Sequence, residues 1–105
     1  MTHDDFKKLF AETVTSCEAL LKVKGGEYAG DEDRLANFKR GAAHVGVKPL
    51  TVLFIYLSKH YDALATYVRL SEQGAAMELS EPIEGRLQDL INYCILARAV
   101  IEESK

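Results

Sequence analysis

Two prolines and seven glycines in 105 residues are too few for a loop-rich or all-β chain. No run of 18 or more apolar residues occurs, so no segment is expected to span a membrane. A basic surplus is also missing. There are 13 basic and 16 acidic side chains, for a net charge of −3. That balance excludes a general binder of nucleic-acid backbones, which shows a basic surplus. Cysteine is scarce, with only Cys17 and Cys94. Both fall on apolar stripes and read as small buried hydrophobes, with a disulfide or redox pair as the alternative. Met1-Thr2-His3-Asp4-Asp5 is polar and acidic, unlike the opening of a secretory signal. Together with the lone cysteine pair, this sets the expectation of a reducing cytoplasm.

Catalytic signatures are absent too. There is no His-x₃-His or Cys-x₂-Cys spacing for zinc, and no Gly-x₄-Gly-Lys-Ser/Thr phosphate loop. No Gly-x-Ser-x-Gly occurs, and neither cysteine has a histidine at a suggestive spacing. Any chemistry here is expected to be carboxylate and metal chemistry.

What is present is helical periodicity. Hydrophobic residues make up 48% and charged residues 28%, which suits a globular chain rather than a disordered one. Phe6, Leu9, Phe10, Val14, Cys17, Leu20 and Leu21 recur at three- and four-residue steps. They predict an amphipathic helix from about Asp4 to Lys24, capped by Thr2 with Asp5 and stopped by Gly25-Gly26. A second helix is predicted from Asp33 to Val45, closed by Gly46, with Gly41 as a weak point inside it. A third starts at Pro49 and ends near Gln73. Its Leu50–Leu57 stretch is apolar nearly all round, which implies burial, in part by a second chain. A fourth is capped by Ser80 or Glu81, with Pro82 in its first turn. Ile83, Leu87, Leu90, Cys94, Ala97 and Ile101 form its expected core face. No two-residue alternation supports a strand. The expectation is an all-α, four-helix bundle-like single domain over 1–105, stabilised as a homo-oligomer.

Three polar clusters stand out. On the fourth helix, Asp89 and Asn92 share a strip beside the expected core face. A carboxylate there needs either a metal or a lysine or tyrosine partner on a neighbouring helix. On the third, Lys59 and Asp62 lie three apart and point to similar sides. His60, between them, falls on a stripe with Leu53, Tyr56 and Tyr67 and reads as a hydrogen-bonded core residue. The third cluster is Lys24-Gly25-Gly26-Glu27-Tyr28, followed by Asp31-Glu32-Asp33-Arg34 and Asn37-Phe38. It reads either as a site for a hard cation or as a helix stop followed by an acidic helix start.

Lys24-x-x-Glu27-Tyr28, Asn37-Phe38, Lys59-His60 and Asp89-x-x-Asn92-Tyr93 occur in this order. The series resembles small, largely phage-borne proteins akin to the MazG-like all-α nucleoside triphosphate pyrophosphohydrolases, including a nucleotide-modification-associated subgroup. The resemblance covers about residues 20–103. It implies acidic residues on facing helices that hold Mg²⁺ on a nucleotide triphosphate, with Asp89 and Asp62 catalytic. It implies Glu27, Asp62, Glu81 and Asp89 as metal ligands. It also implies Lys59 on a phosphate, Tyr28 or Phe38 stacked on a base, and Lys24, Asn92 and Tyr93 around the substrate. The chain departs from the family's Glu-x-x-Glu and Glu-x-x-Asp pairs, with Arg86 three residues before Asp89 and Lys59 three before Asp62. Three functions follow as expectations. The first is a Mg²⁺-dependent pyrophosphohydrolase. The second is a non-catalytic binder of a nucleotide or nucleotide signal. The third is a structural or protein-interaction module.

Overall fold

The chain is seen here in a computed structural model that describes residues 1–28, 33–75 and 79–105, the side chains of 27 and 28 excepted. Four helices follow in order: α1 (His3–Tyr28), α2 (Ala36–Val45), α3 (Pro49–Glu72) and α4 (Ile83–Glu103). Among the described residues there is no strand. No single helix among them is long and apolar enough to cross a membrane.

Local chemistry sets most helix ends. Thr2 Oγ1 accepts the Asp5 N–H at 3.0 Å, and the Asp5 carboxylate accepts the Thr2 N–H at 3.3 Å. This reciprocal pair is the expected cap of α1. Gly46, at φ 72°, takes the left-handed conformation that ends α2, and its N–H donates to the Ala42 carbonyl. Pro49 opens α3 as expected.

Three ends differ from the sequence reading. Gly25-Gly26 does not stop α1, which continues to Tyr28. Gly25 serves a close approach instead: a Cβ there would lie 2.7 Å from Arg34 Nε. The α2 helix starts at Ala36 rather than Asp33. Asp33 stands before it in an Asx turn, its carboxylate accepting the Leu35 N–H at 2.9 Å. Its other oxygen accepts from Lys39, which also pairs with Glu103, so α2 is tied to the end of α4. The Lys39 hydrogen bond and then the Leu35 N–H hold the Asp33 carboxyl below its ordinary range. Finally, α4 begins at Ile83 behind Pro82, and neither Ser80 nor Glu81 caps it.

The α3 helix packs along α4, α2 lies against α3, and α1 touches α4. The core gathers Leu35, Phe38 and Ala42 with Val52 and Leu53 of α3 and Leu96 and Val100 of α4. Gly41 has its reason here, since a Cβ on it would stand 3.2 Å from Val52 Cγ1. The small residue lets α2 and α3 approach.

The face that α4 buries is not the expected one. Asp89, Asn92, Leu96 and Val100 point inward. Leu87 and Ile101 are 41% and 46% exposed, and Cys94 is exposed as well. The more polar strip won because partners on other helices satisfy it. The first half of α1 also departs from expectation. Phe6, Leu9, Phe10 and Val14 are all exposed, and α1 buries Cys17. The Leu50–Leu57 stretch likewise keeps Phe54 and Ile55 uncovered within the chain.

Candidate functional site

Three helices meet around Asp89. Lys24 and Leu21 come from α1, Asn37 and Phe38 from α2, and Asp89, Asn92, Tyr93 and Leu96 from α4. With Arg34 they line a cavity of about 40 Å³. Such a space holds a few waters as it stands.

Asp89 is buried, and each of its oxygens faces a basic group. Oδ1 accepts from Lys24 Nζ at 3.0 Å, and Oδ2 stands 3.5 Å from His60 Nδ1. The pairing with a lysine on a neighbouring helix is one of the two outcomes that burial of this carboxylate demanded. Asn92, also buried, donates from Nδ2 to the Cys17 carbonyl at 3.1 Å. That bond fixes α4 against α1. The Asn92 Oδ1 and Asn37 Oδ1 are buried and have no hydrogen-bond partner among the described residues. Both residues line the same cavity. An unmade bond to a buried acceptor costs about 1–3 kcal/mol, so two in one cavity mark a place built to meet donors.

His60 is buried, as its stripe predicted, and its ring stacks on Tyr93 with centroids 5.4 Å apart. Arg86 Nη1 lies 3.2 Å from His60 Nδ1. Nδ1 thus faces both the Arg86 donor and the Asp89 carboxylate, and the ring tautomer sets which of the two it bonds. Burial pushes the His60 pKa below its ordinary value, against the pull of Asp89 and with the help of Arg86, Lys59 and Lys24. The imidazole is therefore neutral at pH 7. Burial, and then the charge of Asp89, pushes the Cys17 thiol up, so it stays protonated. Cys17 and Cys94 are both free thiols.

A second space lies on the other side of this polar cluster. A groove of about 350 Å³ is lined by Lys59, Asp62, Ala63 and Thr66 of α3, with Leu79, Ser80, Glu81, Ile83 and Arg86. Glu81 Oε2 stands 3.6 Å from Arg86 Nε. A continuous polar chain thus runs from Glu81 through Arg86, His60 and Asp89 to Lys24, joining groove to cavity.

The candidate residues read from the sequence divide between the two spaces. Lys24, Phe38, Asp89, Asn92 and Tyr93 line the cavity, while Lys59, Asp62 and Glu81 line the groove. Asp89 and Asp62 do not share a lining. The side chains of Glu27 and Tyr28 lie outside the described residues. Among the described residues, no group of three or more His, Cys, Asp or Glu side chains is placed to hold a metal ion.

Four contributors were not among the candidate site residues: Asn37, which stands in the sequence series only beside Phe38, and His60, Arg86 and Arg34. His60 was read as core, and it is core, but it also links Asp89 to Arg86. Arg86 was visible only as a departure from an acidic pair. Its three-residue spacing from Asp89 was the available signal. Arg34 stands in the third polar cluster only as part of a charged run, and it reaches the Leu21 carbonyl at 3.4 Å across the α1–α2 connection. A scan against protein-family models and searches of the curated proteins and of the solved structures each return no match for this chain.

Proposed function

We propose that this chain binds a nucleotide or nucleotide-like ligand without hydrolysing it. The observation that carries the reading is the pair of buried carboxamide oxygens, Asn37 Oδ1 and Asn92 Oδ1, which have no partner among the described residues and belong to two residues that line one cavity. They call for N–H or O–H donors, which a nucleobase edge supplies. Tyr93 and Phe38 offer aromatic faces beside them, and Lys24 and Arg34 offer positive charge for a phosphate. The MazG-like resemblance, carried by Lys24, Asn37-Phe38 and Asp89-x-x-Asn92-Tyr93, supplies the ligand class. Asp89 supports binding over catalysis. Its two oxygens face Lys24 and His60, so it acts as an internal ion-pair link rather than an open metal ligand. A nucleotide is larger than the space of about 40 Å³, so binding it would require the cavity to widen.

The second reading is the Mg²⁺-dependent pyrophosphohydrolase, and the groove favours it. Asp62, Glu81 and Lys59 share that lining. Mg²⁺ is often held by one or two carboxylates together with substrate phosphates, so Asp62 and Glu81 fit an ion that arrives with its nucleotide. Bound there, the ion would offset the polyphosphate charge. Lys59 and Arg86 of the same lining would hold the phosphate oxygens there.

One experiment separates the two. The protein is melted with a panel of ribo- and deoxyribonucleoside mono- and triphosphates, with and without Mg²⁺, and each mixture is then read by mass spectrometry. Binding at a hundredfold excess over Kd stabilises the fold by about 2.7 kcal/mol, with the ligand recovered intact. The Asn92→Leu variant is expected to lose that shift. No shift and no product with any nucleotide refutes both readings, and monophosphate with pyrophosphate establishes the second.

A further inference from the structure

We infer that the face formed by the first half of α1 and the outer side of α4 is the contact between two copies of this chain. The proposal is independent of the ligand reading. It begins from surface area. A compact monomer of 11.7 kDa exposes about 5,900 Å². This chain exposes 7771 Å², an excess of roughly 1,900 Å² over that expectation. Permanent homodimers bury about 1,000–2,500 Å² per copy, so the excess is of the size that such an interface removes. The radius of gyration agrees. It is 16.0 Å, where a compact chain of this length has about 13 Å.

The excess has a location. Residues 1–12 are exposed throughout, so the first turns of α1 project beyond the body of the chain. An unsupported helix of that length is marginal in water, and packing is what holds such a segment helical. Its stripe, Phe6, Phe10 and Val14, continues the side of α1 whose Cys17 packs on α4. On α4, the apolar face that the fold leaves outside carries Leu87, Ile91 and Ile95. Val14, Ile91 and Ile95 already share an almost purely apolar groove of about 200 Å³. The two halves are one continuous surface.

A second copy fits this surface better than a charged partner does. Its centre is apolar on both helices, so a two-fold contact sets like against like, as an isologous interface requires. The rim carries both signs, with Lys7 and Glu18 on α1 and Glu84 and Arg98 on α4. The net charge of −3 is too small to hold two copies apart. Two α1–α4 pairs then complete a four-helix arrangement that one chain leaves half built.

The test is the mass of the full chain in solution by light scattering and sedimentation, from about 1 to 100 µM. The expected mass is twice 11.7 kDa. Phe10→Asp and Ile95→Asp each change an exposed residue, so the fold survives, as far-UV circular dichroism would verify. Both are expected to reduce the mass to one chain. Phe54→Asp, on the exposed side of α3, is the control and is expected to leave the dimer intact. A monomer at every concentration overturns the proposal. So does an assembly that Phe10→Asp and Ile95→Asp leave whole while Phe54→Asp divides it.

Discussion

Replacing Lys24 with methionine strips the nearest positive charge from Asp89. The Asp89 side chain is only 10% exposed, so its carboxylate would be left in the interior against a neutral imidazole. Deleting one partner of a fully buried ion pair costs about 3–5 kcal/mol. Lys24 is 38% exposed, so water already screens part of the attraction. Exposed pairs contribute about 0–1 kcal/mol, and the expected loss falls between the two limits, near 2 kcal/mol. For a chain of this size that lowers Tm by roughly 10 °C.

The geometry also predicts an asymmetry. Asp89→Asn removes the buried charge, while the Lys24 ammonium keeps its access to water. Asp89→Asn should therefore cost less than Lys24→Met, and adding it to Lys24→Met should recover about 1–2 kcal/mol. A pH arm sharpens the test. In Lys24→Met, protonation of His60 becomes the available compensation for Asp89. The deficit should shrink as the pH falls below 6.5, the ordinary histidine value. The assay is urea unfolding followed by far-UV circular dichroism at one protein concentration. Equal losses for the two single variants, or no recovery in the double, would show that Asp89 does not depend on Lys24.

In the unmutated chain, the His60 pKa is depressed in the fold, so its contribution to stability is complete above pH 6.5 and is lost as pH falls from there through the folded value. The groups that face it are Asp89 and Arg86 on α4, Lys24 on α1 and Lys59 on its own helix. Urea midpoints should fall as the pH drops below 6.5, and His60→Asn should flatten that slope; an unchanged slope would place its origin elsewhere. Gly26→Ala should stabilise α1 by about 0.5–1 kcal/mol, because none of the described residues lies within 4 Å of the added methyl group. Gly41→Ala has the same propensity gain but meets Val52 at 3.2 Å, so thermal melts should show no net stabilisation.

Much of the candidate site was legible as residue types and not as geometry. Lys24, Phe38, Asp89, Asn92 and Tyr93 stood out as polar or aromatic positions in an ordered series, and they line one cavity. Lys59, Asp62 and Glu81 stood out equally, and they line a different space. Short motifs carry no distances between helices, so nothing in the series could divide the two groups. Arg34 showed only as one charge in a polar run, because its role depends on Gly25 leaving room for it.

The sequence by itself determined the four helices and most of their ends. The Thr2–Asp5 cap, the left-handed Gly46 and Pro49 at the head of α3 all act within a few residues. Interactions of that range are decided before tertiary structure forms. Tertiary structure alone decided which face of α4 turns inward. Apolar periodicity favoured Leu87, Cys94 and Ile101, yet Asp89 and Asn92 are the buried residues. Burying those polar groups is tolerable only because Lys24 and the Cys17 carbonyl wait on α1, 65 and 75 residues away along the chain. A helical wheel sees one helix at a time, and the partners that make a polar face suited to the interior belong to another.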